Sequence, residues 1–244
     1  MPKLELTAAM PGGGLQRHPL RIGFESARAN AVPMVVLWIV AAAAVMGYYA
    51  VPWFAGALEP IAKWQRENGS VAAFASLAFF CGVIPGVFLC TVRSLRPRRP
   101  LLTVVVLSAW CGLWGVANNW KYEFLCRWLG DGLDLGTLVM KTALDQFVWT
   151  TFVMAPVNSA FYFWMACDFS LPATRAAWPS DFVRGVFLPN LVSNWVVWIP
   201  VLCAVYAFPL PLQIQLAGLA GSYWTLMCLQ IGKCSAVAGG RTGD

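Results

Sequence analysis

The sequence predicts an all-α integral membrane protein, a single bundle of about six transmembrane helices, and three observations carry that prediction. The 244-residue chain is 59% hydrophobic and only 11% charged, with a mean hydropathy of +0.64, where soluble domains average about 45–50% apolar and roughly 25% charged. So few charges cannot coat a soluble globule of this size. The apolar residues also fall in continuous runs of the ~20 residues that a helix needs to cross the hydrocarbon, whereas barrel strands alternate over about 10 residues. Thirteen tryptophans suit anchoring at lipid–water boundaries.

The elements follow in order from where the charges stand. Residues 1–31 form a basic tail in which Lys3, Arg17, Arg21 and Arg28 accompany Glu5 and Glu25, and the Pro11–Gly14 run reads as flexible. The first apolar run is too long for the ~7–15-residue core of a signal peptide. The spans are expected at 32–54, 71–92, 101–120, 147–167, 186–206 and 212–231, and none contains Lys, Arg, Asp or Glu. Together they make one transmembrane domain, 32–231, followed by a short tail, 232–244. The last two are separated only by Phe208-Pro209-Leu210-Pro211, so counts of four and five stay open beside six. Pro85, Pro156, Pro189 and Pro200 fall inside the spans and predict kinks, which membrane helices tolerate when neighbours re-satisfy the freed backbone groups.

With six spans, twelve of the seventeen basic residues fall on one side, including Arg93, Arg96, Arg98 and Arg99, and five on the other. Positive-inside bias then places both termini inside. The arginine cluster is read as a topology signal that also meets anionic lipid. Nucleic acid is not an expected partner; the lipid bilayer is.

The composition also bears on chemistry. His18 is the one histidine and lies outside every span, and no CxxC pair occurs among the eight cysteines. A membrane serine protease lacks its base, a bis-His metal or haem site lacks its ligands, and Asp131 and Asp134 stand alone among glycines. No enzyme activity, metal or cofactor is expected. The cysteines read as small apolar packing residues.

The most patterned polar region follows the third span. Trp120, Phe124, Leu125 and Trp128 share one face at helical spacing, with Glu123 and Arg127 one turn apart, the pattern of a helix lying in the interface plane. Lys141, Asp145 and Gln146 then open the fourth span. On an α-helix Lys141 and Asp145 lie one turn apart and can neutralise each other, which matters because an unpaired charge at the bilayer centre costs at least ~2.5–3.5 kcal/mol. They anchor the helix end or line a polar cavity. Asn158 in the fourth span, and Asn190 and Asn194 one turn apart in the fifth, invite the same two readings: packing through interhelical hydrogen bonds, or a cavity wall shared with Lys141 and Asp145.

These residues carry a resemblance. Lys141-x-x-x-Asp145-Gln146, the aromatic and basic Trp120-Lys121-Tyr122 upstream, Pro189 and Pro200 eleven apart, and Trp224 in a short run before the C-terminus resemble the Mpv-seventeen and twenty-two-kilodalton peroxisomal membrane protein family over roughly residues 95–233. The chain differs in having Leu188 before Pro189, and Trp195 where the family has Asn. The resemblance implies a small, weakly selective pore or channel for ions or small metabolites, in the mitochondrial inner or the peroxisomal membrane; small solutes or ions and a second copy of the chain, as a homo-oligomer, are the partners considered beside the bilayer. The alternative is a non-transporting scaffold or assembly factor that docks through residues 120–129 and 93–99. A secondary transporter with broken helices at Pro85 and Pro189 ranks third.

Overall fold

The computed structural model describes residues 31–92, 96–179 and 181–240, with the side chains of 31–33, 185 and 227–240 left aside. The expected N-terminal tail up to residue 30, Arg93 and the last four residues lie outside the described residues. Among those described, the chain is all-helical and contains no strand. Three helices are long and apolar enough to cross a membrane: Pro52–Thr91, Pro100–Leu129 and Leu188–Ala207, with Met34–Ala50 a shorter apolar helix. Large apolar side chains such as Ile39, Leu101, Leu113 and Phe152 face outward, the reverse of a soluble surface. These are the features of a membrane protein.

Helix α1 (Ala31–Ala50) ends earlier than the expected span 32–54, because Val51 is extended and Pro52 starts a new helix; the residue before a proline is driven out of the α region. Helix α2 (Pro52–Leu77) is two helices joined at Gly69, whose φ of 48° and ψ of −117° suit only glycine. Before Gly69 the helix carries the exposed pairs Arg66–Glu59 and Lys63–Glu67, and its apolar part follows the kink. A π-helical segment (Ala78–Val83) then leads into α3 (Ile84–Thr91).

Helix α4 (Pro100–Leu129) runs through the third expected span without interruption. The separate in-plane helix expected at 120–129 is therefore its continuation. At 1.5 Å per residue α4 is about 45 Å long, more than the ~30 Å hydrocarbon, so it is longer than one crossing needs. Helix α5 (Leu135–Ala143), a second π segment (Leu144–Met154) and α6 (Ala155–Ala166) form one continuous rod, longer than the expected 147–167. After the short α7 (Leu171–Ala177), a third π segment (Val183–Phe187) leads into α8 (Leu188–Ala207). Helix α9 (Leu210–Gly240) continues through most of the tail expected from 232.

The prolines act in a way the sequence did not spell out. Pro85, Pro156 and Pro189 each sit just past a π segment; a proline has no N–H for the i→i−4 ladder, and the preceding wide turn absorbs the mismatch. Pro200 lies inside α8.

Helix α9 packs against α2, α6 and α8, while α4 packs against α2 and the first π segment. The α4 contact is close: a Cβ on Gly82 would lie 2.3 Å from the backbone of Ser108, and one on Gly115 would lie 2.3 Å from the Ala73 carbonyl oxygen. Trp38 donates to the Val197 carbonyl (3.1 Å) and Tyr49 to that of Ala207 (2.8 Å), tying α1 to α8.

Candidate functional site

The bundle holds a cavity of about 80 Å³ walled by the end of α2, the first and second π segments, α4, α6, α8 and α9, enough for several waters at ~10–15 Å³ each. Its charged feature is an ion pair between Lys121 of α4 and Asp145. Lys121 Nζ lies 2.5 Å from Asp145 Oδ2, and the two side chains are only 7% and 2% exposed. Tyr206 donates to the same oxygen at 2.6 Å, and Thr150 to Oδ1 at 3.3 Å. Both carboxylate oxygens are thus engaged, as a buried charge requires. The Lys121 ammonium also sits 4.5 Å from the Tyr122 ring centroid, and Tyr122 meets Tyr206 edge-on.

The pairing of Lys141 with Asp145 expected on an α-helix is not the one formed. The helix is π-helical from Leu144, and the wider turn brings positions five apart together: Thr150 reaches Asp145, and Thr151 donates to the Gln146 carbonyl at 2.8 Å. Asp145 is turned to α4 and α8 instead. Lys141 is buried too, but it does not line the cavity; its Nζ lies 5.9 Å from the Tyr206 ring centroid.

The other expected residues meet at this place. Gln146 accepts from Asn194 at 3.1 Å and bonds Thr150 at 3.3 Å. Asn158 accepts from Trp110 at 2.8 Å, and Asn190 donates to Ser159 at 2.8 Å. Asp145, Gln146, Asn158, Asn190 and Asn194 all line the cavity. Of the motif residues, Trp224 also lines it, and Trp195 donates to the Gln146 carbonyl at 3.3 Å. Pro189 is buried near the start of α8, while Trp120 faces outward and donates to Ser70 at 3.0 Å.

Sequence reasoning missed Lys121 as the partner of Asp145, and Tyr206 and Thr150 as its hydrogen-bond donors. A signal for Lys121 was present: a buried aspartate needs a cation, and Lys121 lies in the aromatic and basic Trp-Lys-Tyr segment. Thr150 is visible only once a π turn is allowed. Asn118 also lines the cavity, and its buried Oδ1 has no hydrogen-bond partner among the described residues.

Outside the membrane-spanning part, Asp134 caps α5 by accepting from the Thr137 backbone N–H at 2.9 Å. That hydrogen bond holds its carboxyl below its ordinary range.

Compared with known proteins, the chain matches no family model, no curated protein and no solved structure.

Proposed function

We propose that the protein is a multi-pass bundle of six helices, both termini inside, that carries a narrow and weakly selective path for ions or small metabolites. The observation that carries this reading is the cavity walled by Lys121, Asp145 and the amides of Asn118, Gln146, Asn158 and Asn194, inside the helix bundle. Polar and ionisable groups at membrane depth are expensive, and by default they mark solute or ion pathways. The Asn118 oxygen offers a permeating solute an acceptor, and channel walls work through such donors, acceptors and fixed charges. The resemblance to the Mpv-seventeen and peroxisomal membrane protein family supports the same reading, and with it an organellar membrane, mitochondrial inner or peroxisomal. The reading is non-enzymatic.

Single-channel recording on purified protein in planar bilayers tests it. The wild type gives discrete currents, and the charge-neutral double variant K121Q/D145N gives currents of altered amplitude. Silent bilayers across several salts overturn the pore.

A second reading, a scaffold or assembly factor, is favoured by the exposed stripe Trp120, Phe124 and Trp128 at the end of α4. It predicts silent bilayers together with one stoichiometric cross-linked partner.

A further inference from the structure

The cavity has a neighbour. Glu123, Cys126 and Arg127 near the end of α4, Asp131 in the turn after it and Leu210 at the start of α9 line a second pocket, open to the surface. It lies at the end of the bundle where α2 carries its exposed pairs Arg66–Glu59 and Lys63–Glu67, with Gln65 of that segment bonded to Asn119 of α4.

The two hollows share walls. On α4, Tyr122 lines the cavity and Cys126 the pocket; they are one turn apart on one face, about 6 Å along the axis. On α9 the order is reversed: Leu210 lines the pocket and Ala217 the cavity, two turns apart on one face. Between them on that face stands Gln213, only 3% exposed, which donates to the Phe208 carbonyl at 3.0 Å and whose Oε1 has no partner among the described residues. From the pocket's rim a chain of amides runs inward: Glu123 accepts from Asn119 at 2.8 Å, Asn119 from Gln65 at 3.0 Å, and Gln65 from Gln215 at 3.1 Å. The Oε1 of Gln215 and, at the cavity, the Oδ1 of Asn118 are unpartnered as well. Buried acceptors that the protein leaves open are met by water where there is room, and these three stand on the stretch of α4 and α9 that leads from cavity to pocket.

We propose that this pocket is the mouth of the cavity: small polar solutes enter and leave at the end of α4, between α4 and α9. The proposal rests on the pore reading, but it concerns access and is read without current.

The test is the rate at which a small, charged thiosulfonate labels N118C, in a C81S/C111S background that removes the other thiols of the cavity wall. The protein is held in lipid nanodiscs and the label is located by peptide mass spectrometry. Prior treatment with a maleimide too bulky for the cavity should modify Cys126 and all but stop the labelling of N118C, whereas the same treatment should leave the rate unchanged in C126S. L210W, which narrows the mouth without any reagent, should slow the labelling as the maleimide does. A rate indifferent to the maleimide overturns the proposal, as does an N118C that is never labelled or a Cys126 that the maleimide cannot reach. Should L210W fail to purify, the maleimide comparison decides alone. Silent bilayers with Cys126-dependent labelling overturn the pore reading and keep the mouth; currents with Cys126-independent labelling overturn the mouth and keep the pore.

Discussion

Asp134 and Asp145 stand on the same continuous rod and illustrate two ways of using a carboxylate. Asp134 sits at the exposed start of α5 and serves the helix it begins, accepting from the Thr137 N–H. Asp145 sits in the π segment and serves the bundle, with both oxygens taken by groups on α4, on α8 and within its own segment. The first interaction is local and wet; the second is tertiary and dry. Their consequences for stability should differ accordingly, because an exposed charge is screened while a buried one is not.

The largest effect expected is from K121M. It leaves Asp145 charged and unpaired in the interior, a loss of about 3–5 kcal/mol, read as a drop in the thermal midpoint of tryptophan fluorescence in detergent. The double variant K121M/D145N should recover most of that loss, and equal losses in single and double variants would mean that the pair is not coupled. Tyr206→Phe removes one hydrogen bond to a charged group, for about 1.5–3 kcal/mol, in the same assay. Gly82→Ala tests how α4 is held in place to present Lys121. Its Cβ would meet Ser108 at 2.3 Å, and overpacking of this kind costs typically ~1–3 kcal/mol; a melt unchanged from wild type would show that the helices can separate freely.

The smallest effect belongs to Asp134. Its pKa is lowered on folding, chiefly by the Thr137 N–H, so its contribution is present above the unfolded value of 3.8 and is lost as pH falls through the lower folded value. The protection of the Thr137 amide against hydrogen exchange, relative to its intrinsic rate at each pH, should therefore fall in acid for the wild type. In D134N, which keeps an acceptor without a titrating group, the acid dependence of that protection should vanish.

This contrast also explains what was legible in the sequence. Helical content and outward apolar faces follow from composition and run length, and Asp134 before α5 is a local signal. Asn190 and Asn194 are one turn apart in a regular α-helix, so spacing alone puts them on one face, and both reach the cavity. The Lys141–Asp145 pairing went astray because it assumed α-helical spacing across Leu144–Met154, where the backbone is π-helical. The partner of Asp145 stands on another helix, at Lys121, where no spacing rule within one element could find it. The in-plane helix at 120–129 went astray for a related reason: its aromatic stripe is the outward-facing side of a long helix, not a separate element.

Access to the cavity is the most direct test of the central claim that solute passes along its polar wall. Asn118→Cys places a thiol where the unpartnered oxygen now lies, and a small, charged thiol-reactive reagent is added during single-channel recording. Permeation through the cavity predicts that the current of N118C in a C81S/C111S background, which removes the two native thiols at the same wall, is blocked within the recording, while that background without N118C is not. An N118C current that survives, with mass spectrometry confirming the label on the introduced thiol, would contradict it.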